Sequence, residues 1–454
     1  MGVPWAPPPL DLGWTKVPPW ISAGRWSIVV RDPLHLISWE PSQGSSPLTP
    51  LREALGLPVP RPMALDDLPF ISGLVGALSY DLGYFLDRIR TPPPSRIAAQ
   101  HTPPLMVGAY SSAALFDHVA GTWTVVATSW APPGKRSRPP EMEISRWLDL
   151  LKAPPPSAEE PGEGQAEWIA DLTRKEYLKK IEQVREHILA GDIYQANFTH
   201  RFVCAHPPPP WRVYEQLRRI NPAPMSAYLN FPPVQVVSAS PERLLSLTRG
   251  VLLSQPIKGT RRRGDDPSSD HSLALELSLA PKDHAELTMI VDLVRNDLGR
   301  VSRWGSVQPL TIGQVETFPT VFHRVASIQS TLRPGLDGLD AVAALFPGGS
   351  ITGAPKLSAM EIINALEPVS RGIYTGSVGW FDIRGDLDLN ITIRTLIFAD
   401  GVASFHVGGG IVFDSDPEAE FEESLLKGRA LARAVHLANT SSAEQPEPDP
   451  GDHR

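Results

Sequence analysis

Only one cysteine, Cys204, occurs in 454 residues. That excludes an internal disulfide and any cysteine-built metal site, and it suits a reducing compartment. Positive charge is also scarce: 42 Lys and Arg against 50 Asp and Glu leave a formal net charge of -8. No global field therefore draws nucleic acid or an anionic membrane. No apolar run reaches the roughly 20 residues of a membrane span. The start, "MGVPWAPPPLDLGW", lacks the basic-then-apolar order of a secretory signal. The expectation is a soluble cytoplasmic protein with no nucleic acid and no membrane among its partners.

Proline, in contrast, is plentiful, with 49 residues, and its clusters cannot continue helices or central strands. The richest break, residues 152–167, divides an N-terminal region, 1–151, from a motif-rich region, 168–436. Residues 437–454 are too polar to pack and read as a disordered tail. Thr173 and Glu176 form a capping-box pattern ahead of Tyr177, Ile181, Val184 and Ile188 at helical spacing, with Gly191 at the C-terminal end. Strands are predicted in "IYQANFTHRFVC", "VQVVSAS", "VLLSQPI", "VFHRVASIQS", "GSVGWFDI", "DLNITIRTLIFA" and "ASFHVGGGIVF", and helices over 283–295, 355–366 and 417–436. Several consecutive strands without intervening helices point to antiparallel sheets and an α+β fold.

Four groups of residues can carry chemistry. Asp283 with Glu286, and Glu420 with Glu423, each place two carboxylates three apart at a helix start, with Lys427 on the second helix's carboxylate face and Phe421, Leu425 and Ala432 opposite. Either pair can simply cap its helix; if the two starts face each other they build an all-oxygen site suited to Mg²⁺. In "FPGGSITGAPK", glycines precede Pro355 at a helix first turn, which is an anion site or only a turn. Gly408, Gly409 and Gly410 inside a strand imply close approach of a ligand or backbone. Arg394, alternating with apolar residues on a buried strand, needs an anionic partner. Glu242 and Lys258 end two successive strands. They can form a structural ion pair, or a desolvated amine beside an acid/base carboxylate.

The runs "GDIYQANFTHRF", "SASPERLL", "PIKGTRRRG", "AELTMIVDLVRNDLGRV", "VETFPTVFHRVAS", "PGGSITGAPKLSAMEII", "YTGSVGW", "LNITIRTL" and "VGGGIVFDSDPEAEFEESLLKG", in this order, resemble the chorismate-utilising enzymes. That family includes anthranilate synthase component I, aminodeoxychorismate synthase component I, isochorismate synthase and salicylate synthase. The resemblance is nearly continuous from Thr173 to Ala432 and looser through "GRWSIVVRDPLHLI" and "GLVGALSYDLGY".

The resemblance implies two large packed antiparallel sheets with helices outside. It implies Mg²⁺ on Glu286 and Glu423, with Asp283 and Glu420 acting mainly through water. It implies an enolpyruvyl carboxylate on Tyr374, Arg394 and the Gly408, Gly409 and Gly410 amides, with Lys427, His323 and Ser350 as further substrate contacts. Gln195, also in the pocket, stands where isochorismate and salicylate synthases resemble one another in carrying a lysine base. "PIKGT" resembles the aminodeoxychorismate synthase wording, in which Lys258 is the nucleophile and Glu242 the general acid/base. The expected reaction is amination of chorismate to 4-amino-4-deoxychorismate for 4-aminobenzoate and folate synthesis, with ammonia from a glutamine amidotransferase subunit. The alternatives are anthranilate formation and, in a different class, a catalytically inactive chorismate-binding homologue. The three arginines Arg261, Arg262 and Arg263 are expected at the surface.

Overall fold

The computed structural model describes residues 24–44, 46–86, 102–154 and 166–439. Its helix Arg174–Ala190 begins as its spacing predicts. Thr173 Oγ1 accepts from the Glu176 amide at 3.3 Å, Glu176 Oε2 accepts from the Thr173 amide at 2.9 Å, and Gly191 ends the helix at φ 84°. Tyr177, Ile181 and Val184 are buried against Phe198, Ile363 and Ile411, the inward stripe that a 3.6-residue period produces.

The β-structure is antiparallel throughout. A seven-stranded sheet runs Gly353–Ala354, Gln195–Cys204, Val402–Ile411, Thr395–Ala399, Val234–Ser240, Met225–Phe231, with Ile169–Ala170 beside Gln195–Cys204. A ten-stranded sheet runs Ile257–Arg262, Val321–Thr331, Val251–Gln255, Arg243–Thr248, Leu387–Asn390, Ser377–Asp382, Gly73–Leu78, Leu105–Tyr110, His35–Trp39, with Gln308–Thr317 beside Val321–Thr331. Strands from before and after residues 152–167 thus share one sheet. A three-stranded sheet, Trp26–Val29, Ser112–Asp117 and Thr122–Ala127, completes the set.

Ala77, Met106 and Val378 of the large sheet pack on Leu229, Val236 and Ile397 of the seven-stranded one. Their other faces are covered by helices: Pro281–Gly299 and Gly338–Leu345 on the large sheet, Pro210–Ile220 and Pro417–Asn439 on the smaller. The fold is α+β, two packed antiparallel sheets with helices outside. No helix among the described residues is long and apolar enough to cross a membrane. Cys204 is buried at 1% exposure as a small core residue.

Several local expectations change. "DLNITIRTLIFA" is not one strand: Leu387–Asn390 and Thr395–Ala399 belong to different sheets, and residues 391–394 cross between them. "VLLSQPI" stops at Gln255, because Pro256 cannot donate to the ladder. Residues 437–439 complete the last helical turn, while 440–454 of the expected tail, and 155–165 of the 152–167 break, lie outside the described residues. Pro355 is the N-cap of Lys356–Leu366 rather than its first residue. Gly353–Ala354 pairs with Gln195 and Ala196, so the glycine loop is tied into a sheet rather than left as an open anion cradle. Helix Pro417–Asn439 is anchored by Ser424, Gly428, Leu431, Ala434, Val435 and Ala438, with Phe421, Leu425 and Ala432 only half-buried.

Candidate active site

Antiparallel pairing of Arg243–Thr248 with Val251–Gln255 sets Arg243 opposite Gln255. Glu242, just before the first strand, therefore stands beside Pro256 and close to Lys258, the second residue of Ile257–Arg262. Glu242 is 3% exposed. Its Oε1 accepts from Ser350 Oγ at 2.6 Å and from the Ile257 amide at 3.3 Å. Lys258 Nζ donates to the Ser350 carbonyl at 3.0 Å, and among the described residues it makes no ion pair, which removes the structural-pair alternative. Burial raises the Glu242 carboxyl, against the Ser350 hydrogen bond and the Lys258 charge. Burial also lowers the Lys258 amine, against Glu286 and Glu242. Both shifts favour neutral forms, and a neutral amine is a nucleophile.

Lys258 reaches this place because Gly259 follows it. Gly259 holds φ 91°, and a Cβ there would stand 2.9 Å from Asp283 Cγ, so backbone conformation and space both require glycine. Gly410 approaches from the other sheet. A Cβ on it would lie 2.1 Å from Gln195 Nε2 and 3.5 Å from Lys258 Nζ. Gln195, 1% exposed, leaves its Oε1 without a partner.

The two acidic helix starts do face each other. Lys282 Nζ lies 3.7 Å from Glu420 Oε1, bridging Pro281–Gly299 to Pro417–Asn439. Capping does not use the carboxylates: Ala280 caps the first helix without a side-chain bond, and Asp416 accepts from the Ala419 amide at the second. Burial raises Glu286, opposed by Lys258 and Lys282 and reinforced by Asp283 and Glu420. Lys427, 2.8 Å from Glu423, holds that carboxylate low. Glu420 accepts from Ser415 Oγ at 2.8 Å. Asp283 is engaged by Arg261 at 3.2 Å.

Among the described residues no three Asp, Glu, His or Cys side chains converge to hold an ion alone. Carboxylates crowded enough to repel, with room left for water or ligand oxygens, fit Mg²⁺, which keeps part of its hydration shell. Arg261 also pairs with Glu276 at 2.7 Å, and Arg263 with Asp270 at 2.5 Å. These two are half-buried structural cations, and only Arg262 is the exposed arginine expected.

Arg394 lies in the crossing segment at φ 51°, half-buried, not on a strand. It makes no side-chain hydrogen bond or ion pair among the described residues. Burial pulls its guanidinium down to about 10, with Glu242 opposing; since guanidinium does not deprotonate in proteins, this expresses an unmet demand for an anion. Tyr374 is 5% exposed, and its hydroxyl also has no protein partner among the described residues. Lys427 Nζ donates to the Gly408 carbonyl at 2.9 Å, and Gly409 lies against Glu420. His323 accepts from or donates to Thr260 Oγ1 at 2.8 Å through Nδ1, leaves Nε2 unpartnered, and is held neutral by burial, at about 3.

Two buried pairs that frame the site are absent from the sequence reading. Arg371 forks onto Glu367 at 2.7 and 3.0 Å and donates to the carbonyls of Ile351 and Asn197. Glu367 in turn accepts from Thr199. Lys356 pairs with Asp297 at 2.6 Å behind a cavity lined by Glu242, Ser350, Gly349, Val294 and Asp297. Spacing of four in "EPVSR" was the available signal for the first pair; no local signal joins Lys356 to Asp297.

A family profile described as chorismate binding enzyme matches residues 21–433. Anthranilate synthase component 1 1 of Haloarcula marismortui is 40% identical over 82% of this chain and 77% of its own length. Aminodeoxychorismate synthase component 1 of Escherichia coli is 38% identical over 90% of each chain. The solved anthranilate synthase component I of Streptococcus pneumoniae superposes with a TM-score of 0.80 at 30% identity, covering 90% of this chain and 92% of that one. Matched along most of its length in both sequence and fold, the chain belongs to the chorismate-binding enzyme family.

Proposed function

We propose that the chain aminates chorismate at C4, giving 4-amino-4-deoxychorismate, in the cytoplasm and with ammonia delivered by a glutamine amidotransferase subunit. Lys258 carries this reading: a desolvated amine that makes no direct ion pair among the described residues, resting on a neutral carbonyl beside a buried carboxyl. Relatives of both names resemble the chain equally well, so the choice between C4 and C2 rests on this residue. The substrate's enolpyruvyl carboxylate meets Arg394, Tyr374 and the Gly408–410 backbone. Its ring carboxylate faces Glu286 and Glu423, which would hold Mg²⁺, with Asp283 and Glu420 behind water; a bound Mg²⁺ supplies the charge neutralisation that lets carboxylate approach carboxylate.

The Lys258 amine attacks C2, both double bonds of the ring diene shift, C1=C2 to C1=C6 and C5=C6 to C4=C5, and the C4 hydroxyl departs as water with the Glu242 proton. Ammonia then attacks C4, both double bonds return to C5=C6 and C1=C2, and the C2–N bond breaks to release Lys258. Proton loss from the new ammonium and return to Glu242 close the cycle. The net change is chorismate plus ammonia to aminodeoxychorismate plus water. His323 and Gln195, each with one unpartnered polar atom, line the pocket as substrate contacts. In Gln195 the chain has no side chain basic enough to activate water at C2.

Incubation with chorismate, ammonium and Mg²⁺ tests the reading. Product that becomes 4-aminobenzoate only after an aminodeoxychorismate lyase is added supports it. Fluorescent anthranilate formed directly refutes it, and chorismate binding without turnover supports an inactive homologue instead.

A further inference from the structure

The strand Val402–Ile411 alternates its faces. Phe405 and Val407 pack toward Gly428 of the Pro417–Asn439 helix, while Gly410, on the opposite face, meets Gln195 and Lys258. His406 shares the Gly410 face and is 5% exposed. Its ring lies nearly parallel on that of Tyr374, centroids 5.0 Å and planes 11° apart. Neither Nδ1 nor Nε2 has a hydrogen-bond partner among the described residues.

Burial, with Arg201, Arg371 and His200 close by, keeps this imidazole neutral, so it carries one N–H donor and one lone pair. Arg201 and Arg371 already hold Asp171 and Glu367, and His200 bonds Ser424, so none of them serves His406. Interiors rarely leave such atoms unmet without a functional reason. A phenylalanine would fill the same space and stack on Tyr374 at no polar cost. The sequence instead places a polar ring against a phenol whose hydroxyl also bonds no protein group among the described residues, on the strand face that carries Gly410. Two adjacent donors with no acceptor are complementary to the two oxygens of one carboxylate.

We propose that His406 is a substrate-binding residue: its ring N–H donates to a carboxylate oxygen of the bound acid, beside the Tyr374 hydroxyl. This rests on the chorismate reading above and adds a contact to it. His406→Phe keeps the stacked ring and removes both nitrogens, and His406→Asn restores a donor near the position of Nδ1.

Chorismate binding to the full chain is measured calorimetrically with Mg²⁺ present, alongside KM, kcat and Tm for wild type and both variants. Loss of a hydrogen bond to a charged group weakens binding roughly tenfold or more. His406→Phe should therefore raise Kd and KM by that factor, with the loss falling on KM rather than kcat and with Tm equal to or above wild type. His406→Asn should recover part of the affinity. Wild-type affinity in His406→Phe, or a lowered Tm with unchanged Kd, overturns the proposal while leaving the chorismate reading standing. Failure of the wild type to bind chorismate overturns both.

Discussion

Glu242 lies just before the hairpin Arg243–Thr248/Val251–Gln255 and Lys258 just beyond it, in the strand Ile257–Arg262, yet they are joined through Ser350 rather than to each other. The Ser350 carbonyl accepts from Lys258 at 3.0 Å and its hydroxyl donates to Glu242 at 2.6 Å. An ion pair would hold both groups charged. Interposing a serine lets burial drive each toward its neutral form, the state in which an amine attacks and a carboxyl donates a proton.

Lys258→Ala should lower the rate of chorismate amination by on the order of 10³-fold or more, with residual turnover diverted toward amination at C2. Chromatography of the products checks both. An unchanged rate and product would remove the nucleophilic role.

Glu242→Gln should cost about 10²–10⁴ in kcat, and its stability should carry a pH signature. The carboxyl is raised in the folded chain, so folding favours its protonated form. That contribution is complete below the unfolded pKa and is lost as pH rises through the folded value. Glu242→Gln should therefore match wild-type Tm in acid, gain on it as pH rises from the unfolded toward the folded pKa, and keep a constant advantage above that. A Tm difference independent of pH contradicts the buried carboxyl.

Arg394→Gln should raise KM for chorismate about tenfold or more, and Arg394→Lys should restore only part, because a lysine cannot form the guanidinium fork. With no side-chain hydrogen bond or ion pair at Arg394 among the described residues, neither change should lower Tm. A large drop in Tm with unchanged KM would make Arg394 structural.

Mg²⁺ should raise the wild-type Tm, equivalent to about 2.7 kcal/mol at a hundred times its Kd. The shift should vanish in Glu286→Gln and Glu423→Gln. Asp283→Asn should keep most of it, because Asp283 is already engaged by Arg261. Thermal scans with Mg²⁺ and with a chelator check this, and a shift retained in both glutamate variants contradicts the assignment.

Much of the fold was legible because its signals are local. The Thr173–Glu176 box and Gly191 mark one helix completely, and period-two runs such as Val234–Ser240 can only be strands. Arg394 misled for a physical reason: apolar alternation through "ITIRTL" imitates a strand, whereas the chain there crosses between sheets with Arg394 at φ 51° and Thr375 at φ 57°. Positive φ at β-branched Thr375 is costly, and it is held by the amide bond from Thr375 to the Thr392 carbonyl at 2.8 Å. No pattern in either segment announces that pairing.

The candidate site was legible residue by residue but not as a geometry. Spacing alone allowed Asp283 with Glu286 and Glu420 with Glu423 to be caps; only packing brings Lys282 to Glu420. The role of Arg371, which ties residues 197, 351, 367 and 375 together, depends on its contacts to residues 351 and 197, which lie 20 and 174 residues away. Arg371→Met should cost about 3–5 kcal/mol, as removing one partner of a buried pair does, and denaturant unfolding measures it.

The most direct test follows the nitrogen. Wild-type enzyme is given chorismate, ¹⁵N-ammonium and Mg²⁺, and the product is analysed by NMR without a lyase. The expected product carries ¹⁵N bonded to C4 of a ring that keeps its enolpyruvyl group. Nitrogen at C2, with pyruvate released, would contradict it.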